Sequence, residues 1–203
     1  MSIKSITKLL ACSILVASTQ GAQAADKNER YAIKGAGVSF CSTFAESIQA
    51  RDKNYYIYGG WIEGYLTGLN QQLENTFDLA PWQTTELMLR MVEPICQQNP
   101  KQQFHTVVKA MAGQLSENKI SEQGNYTQLE ADKSLVFQES TVRLIKDTLV
   151  GRGFYDGDSD YKWGDGVISA MKKFQRSKGL KETGLPDQLS LYQLFYGTSE
   201  KTE

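Results

Sequence analysis

A single histidine, His105, stands among the 203 residues. That scarcity excludes zinc sites built from several histidines. The sequence also lacks an H-E-x-x-H helix, a nucleophile elbow and a phosphate-binding glycine loop. It has only four prolines and three cysteines, too few for a disulfide-dense scaffold. Neither sign of charge dominates: 22 Lys and Arg face 23 Asp and Glu, a net charge of −1. Such a balance argues against a nucleic-acid partner. No cofactor or metal is expected, and none of the hydrolase signatures is present, so the chain reads as non-catalytic.

Only one apolar run is long enough to notice, Leu9 to Thr19. It follows Lys4 and Lys8 and precedes Ala22-Gln23-Ala24, which together are the layout of a secretory signal peptide cleaved after Ala24. The run is shorter than the ~20 apolar residues a spanning helix needs, and no later run approaches that length. Cys12 lies inside the run, which continues past it, so lipidation is not expected. The expected destination is the periplasm.

Export leaves Cys41 and Cys96 in an oxidising compartment, where two thiols pair. The alternative is two buried free thiols. A bridge between them would stabilise the fold by ~4 kcal/mol on the chain-entropy model.

Helical spacing dominates what remains. Ser42–Ala50 and Tyr55–Leu73 read as helices, the second with Tyr58, Ile62, Tyr65 and Leu69 on one face. Gly60, Gly64 and Gly68 form a stripe on that helix, which predicts close approach by another helix. Thr84 or Thr85 caps a third helix carrying Leu87, Met88, Met91, Val92 and Ile95, which Pro94 should kink or shorten. Asn99-Pro100 reads as the opening of a fourth, with Phe104, Val107, Val108, Met111 and Leu115 on one face. Residues 117–138 are polar and weakly periodic, as in a linker with a short helix near its end.

From Thr141 onward three more helices are expected. Val142, Ile145 and Leu149 mark the first, ended by Gly151 and Gly153. Val167, Ala170, Met171 and Phe174 mark the second, closed by Gly179. Asp187 caps the third, which carries Leu191, Leu194 and Phe195. The expected fold is therefore all-α. A signal (1–24) precedes a helical domain with one disulfide (25–116), a linker (117–138), a three-helix bundle (139–197) and a tail (198–203).

Between the first two helices of the bundle, Asp156, Asp158 and Asp160 alternate as in the first half of an EF-hand loop. Tyr161 replaces the glycine and Val167 the bidentate glutamate that such a loop requires, so a solvated acidic turn is the better reading.

The run Gly153-Phe154-Tyr155-x-Gly157, Asp160, Trp163-Gly164, Ala170, Phe174-Gln175, Gly179-Leu180, Thr183-Gly184, Asp187, Ser190 and Leu194 resembles the peptidoglycan-binding-1 family. The chain departs from the family's pattern at Lys146, Tyr161 and Val167, where Gln, Gly and Thr are usual. The resemblance implies a three-helix domain that holds its owner on murein. Tyr155, Tyr161 and Trp163 crowd one loop, and flat aromatic faces suit sugar rings. Asp160 would accept hydrogen bonds from the ligand or cap the second helix. Gln175 and Arg176, near the end of that helix, complete the candidate set, with burial of Trp163 in the bundle as the competing reading.

The pattern Cys41-x-x-Phe44, Gly60-Trp61-x-x-Gly64-Tyr65, Asp78, Cys96-x-x-Asn99-Pro100 and Phe104 resembles two groups of small exported helical proteins. These are the HdeA-type acid-stress chaperones and the periplasmic immunity proteins that neutralise type VI amidase effectors. Either resemblance implies a helical, disulfide-bonded domain that meets a protein partner. The bland alternative is that Trp61, Tyr65 and Phe104 are core residues. Three functions stand open. The first is wall binding with a protein partner, and the second is protein docking by both parts. The third is a hydrolase with two carboxylates such as Glu63 and Glu74.

Overall fold

In this computed structural model, the described residues are Asp26, Asn28 and residues 30–197. The expected signal and the tail from 198 onward lie outside them. Before the division of the chain at Ala32, Asp26 pairs with Arg30 at 3.2 Å. From Ile33 onward the chain forms a second unit, mostly α-helical with one β-hairpin. No described helix is long and apolar enough to cross a membrane.

A 3-10 turn at Gly35–Val38 leads into helix α1, Cys41–Ala50. Gly37 has no side chain because the Trp61 ring occupies the space where its Cβ would stand. Helix α2 spans Lys53–Gln72, with Asp52 as its N-cap, accepting from Asn54 N. Helix α3 spans Thr85–Gln98, capped by Thr84, whose hydroxyl accepts from Leu87 N. Helix α4 spans Phe104–Leu115. Helices α2 to α4 bury most of the faces their spacing marks, but Tyr65, Leu69 and Leu87 are half-buried and Ile95 is exposed. Phe44, Tyr58, Ile62, Leu66, Leu89, Val92, Phe104, Val108 and Leu115 lie in one core. Each such side chain, fully buried, contributes about 1.5–3 kcal/mol of transfer free energy. Cys41 and Cys96 are bonded, with Cα atoms 4.7 Å apart, tying the start of α1 to the last turns of α3.

Three details differ from the sequence reading. The glycine stripe does not meet another helix: a Cβ at Gly60, Gly64 or Gly68 would have nothing within 4 Å. The close approach comes one residue earlier, where the Thr85 methyl meets Gly59. Pro94 does not end α3, which continues to Gln98. Asn99 closes α3 instead of opening α4; its backbone N–H bonds Ile95 O at 3.0 Å and its side-chain amide donates to the same carbonyl at 2.9 Å. His105 is buried, against Trp61 and Tyr65, and its imidazole is held below its ordinary pKa, first by burial and then by Lys109.

The segment read as a linker is structured. A 3-10 turn at Ser116–Asn118 is followed by strands β1, Tyr126–Leu129, and β2, Asp132–Gln138, in an antiparallel hairpin. A strand stands where a short helix was expected. The reason is local: Asp132 Oδ1 accepts from Ser134 N at 2.9 Å, a turn-forming bond. Leu135-Val136-Phe137 then favours extended backbone. Leu129 and Phe137 are buried in the second core.

Helices α5 (Glu139–Gly151), α6 (Asp165–Ser177) and α7 (Gln188–Tyr196) follow the expected positions closely. Asp187 caps α7, accepting from Ser190 N at 2.9 Å. Val142, Ile145, Leu149, Met171, Phe174, Leu191 and Leu194 are fully buried. Trp82, from the loop before α3, joins this core and stacks on Phe195 with ring centroids 5.1 Å apart. Gln188 Nε2 donates to Trp82 O at 2.6 Å and Gln83 Nε2 to Tyr196 Oη at 3.0 Å. The α1–α4 region and the bundle are thus joined within one unit.

Candidate functional site

The loop between α5 and α6 gathers most of the residues singled out in the sequence. Helix α5 ends when Gly153 takes a positive φ of 77°, which turns the chain back so that Phe154 packs edge-on against Phe174. Tyr155 is half-buried and lies against Gly157 and Gly166. The loop is then fastened by charge. Lys146, on the inner face of α5, is only 2% exposed. Its ammonium pairs with Asp160, donates to Lys162 O at 3.3 Å and sits 5.4 Å from the Tyr155 ring centre.

The hydrogen bond from Lys146 holds the Asp160 carboxyl below the usual range, and the backbone N–H of Lys162 adds to the effect. Asp160 therefore fixes the loop; Gly164 is the N-cap of α6. Asp156 and Asp158 are exposed, and among the described residues no group of three or more His, Cys, Asp or Glu is arranged to hold a metal ion.

Two candidates are core residues. Trp163 is 3% exposed, and its Nε1 donates to Gly184 O at 3.1 Å. Gln175 is wholly buried. Its Oε1 accepts from Gly184 N at 2.8 Å, and its amide group donates among Thr183 Oγ1, Ser190 Oγ and Leu185 O at 2.9–3.1 Å. Both polar ends are fully used inside the bundle, so neither side chain can meet a ligand in this conformation. Arg176 is exposed but held by Glu182, at 2.9 and 2.6 Å.

Tyr161 alone of the three loop aromatics is exposed, at 37%. The Arg143 guanidinium lies 6.0 Å from its ring centre. Arg143 belongs to a stripe on the outer face of α5, with Glu139 and Asp147 one turn to either side. Asp147 accepts a hydrogen bond from Ser159 of the loop. Beyond this stripe, a cleft of about 490 Å³ separates α5 from residues 119–124. Sequence reasoning missed the stripe and the cleft. Charges four residues apart on a helix are ordinary on a solvated face, and nothing in the polar run 119–124 signals that it would pack beside that face.

The two carboxylates named as catalytic candidates stand on α2 and just past its end. Glu63 accepts a hydrogen bond from Thr85, whereas Glu74 is exposed past the end of α2.

Residues 138–194 match the family model PG_binding_1, described as "Putative peptidoglycan binding domain". The match takes in α5, the loop, α6 and most of α7, and it supports peptidoglycan as a ligand. It lies outside the α1–α4 region and carries nothing about the chaperone and immunity resemblances there. No curated protein and no solved structure matches the chain.

Proposed function

We propose that this chain is an exported, non-catalytic envelope protein. In this reading the α5–α7 bundle holds it on peptidoglycan in the periplasm, while the α1–α4 region meets a protein partner. The observation that carries the reading is the coincidence of the family match with a complete bundle that presents Tyr161 to solvent. Of the six ligand-contact candidates, Tyr161 and Tyr155 remain as sugar-stacking groups, with Arg176 at the edge. Asp160 acts by holding the loop, and Trp163 and Gln175 hold the bundle. A protein partner is supported by the outer face of α2, where Tyr56 is 77% and Ile57 54% exposed.

Co-sedimentation of residues 25–203 with purified sacculi tests the reading. The wild-type protein is expected in the pellet. Tyr161→Ala should weaken binding about ten-fold, as loss of an interface aromatic does, with the thermal midpoint almost unmoved. Failure to sediment at any salt concentration would remove wall binding and leave protein docking. A turbidity assay on the same sacculi should show no clearing.

A further inference from the structure

We infer that the cleft between residues 119–124 and α5 receives the peptide stem of peptidoglycan, a short peptide carrying free carboxylate and ammonium groups. The inference rests on the wall-binding reading and adds to it a second subsite with its own chemistry. At about 490 Å³ the cleft is of ligand size.

The two walls of the cleft differ. One is extended chain, in which Ser121, Glu122 and Gln123 use no backbone N–H or C=O in a hydrogen bond to any described residue. Free main-chain groups along an open edge are what an extended peptide pairs with. The other wall is the α5 stripe. Arg143 makes no ion pair with any described residue, and its guanidinium fork fits a carboxylate in two parallel hydrogen bonds. Glu139 and Asp147 flank it and suit an ammonium group. Lys119 also lines the cleft, but its ammonium is turned to Glu74 O and Thr76 Oγ1, at 3.1 and 2.7 Å, which leaves Arg143 as the cation facing a ligand. The Ser140 hydroxyl is enclosed there without a hydrogen-bond partner.

No aromatic ring lines the cleft, so it offers no stacking surface for a sugar. Arg143, which lines the cleft, also lies over the ring of Tyr161 in the loop. The geometry thus divides the ligand: glycan against the loop, peptide stem in the cleft, with Arg143 at the junction. Residues 119–124 lie outside the family match, whereas the α5 wall lies inside it, so one wall of this subsite is added by the chain to the shared domain.

The test uses residues 25–203, a sugar-free tetrapeptide stem containing a diamino acid, a peptide-free glycan oligomer and intact sacculi. The tetrapeptide is expected to shift the backbone amide NMR signals of residues 121–124 and 139–147. Arg143→Gln should weaken tetrapeptide binding about ten-fold, the usual scale for losing a charge-assisted pair, and leave the thermal midpoint in place. Arg143→Lys should recover part of the loss. Two results would overturn the inference alone: sacculi bound while the tetrapeptide shifts nothing at these positions, or equal tetrapeptide affinity in Arg143→Gln and wild type. Sacculi unbound by the wild-type protein would overturn the wall-binding reading and this inference with it.

Discussion

The α1–α4 region and the α5–α7 bundle are held together by different means. The first has a covalent tie between Cys41 and Cys96 and a packed aromatic group of Phe44, Tyr58 and Phe104, with ring centres 4.7–5.1 Å apart. The second has no cysteine and instead buries Lys146, Gln175 and Ser190, each hydrogen-bonded within it. A bundle of about 60 residues has little core of its own. Here polar groups with directional bonds inside it fix the loops that a larger core would hold by packing. Such networks are sensitive, because a buried group that loses its partner still bears its desolvation cost.

The difference can be broken from either side. The largest effect is expected from Phe174→Ala, which empties the centre of the bundle and should cost about 3–5 kcal/mol. Thermal unfolding should show loss of the cooperative transition, and a midpoint within a few degrees of wild type would mean the bundle draws its stability elsewhere. Reduction of the disulfide should cost about 4 kcal/mol by the chain-entropy model, or roughly 10 °C in midpoint for a chain of this size. A thiol count on denatured, unreduced protein should find none free. Because Trp82 and Gln188 join the two regions, the reduced protein is expected to melt in one transition; two separate transitions would show the regions to be independent.

Gln175→Ala should cost about 1–3 kcal/mol, since it strands the buried Gly184 N–H. The smallest effect concerns Lys146→Met, and it depends on pH. Asp160 has a depressed pKa in the folded protein. Its stabilisation is therefore present above the ordinary value of 3.8 and is lost as pH falls through the lower folded value. The midpoint gap between wild type and Lys146→Met should stay constant from about pH 5 to 8 and narrow below about pH 4. A gap that persists in acid would assign Lys146 a packing role instead.

Six of the seven described α-helices, α2 to α7, were legible from apolar spacing helped by caps and glycine stops. The hairpin was not: a few scattered apolar residues interrupt a polar run, and the two that are buried, Leu129 and Phe137, pack in the core of the bundle, far weaker evidence than periodicity. The site divided in the same way. Tyr161 departs from the family pattern and is the exposed ring. Trp163 and Gln175 match the pattern and are buried. Residues that make a small domain recognisable in sequence are here the ones that hold its loops, so a pattern match located the domain better than its contact surface. Lys146, read only as a departure, fastens the loop through Asp160. His105 gave no periodic signal of its own, and the rings of Trp61 and Tyr65 pack against it.

The seat of Trp82 also bears on how the bundle can be isolated. Its indole stacks on Phe195 from a loop that lies far ahead of the family boundary at residue 138, and Leu129 and Phe137 reach the same core from the hairpin. A fragment cut at residue 138 would carry all the recognisable sequence and yet lack three of its buried side chains. Its core would lie open where they sit, with an apolar opening prone to self-association. A fragment beginning before Tyr126 would restore two of them, and the third can come only from the α1–α4 side. The piece that evolution marks as a module and the piece that closes its own core are, in this chain, of different lengths.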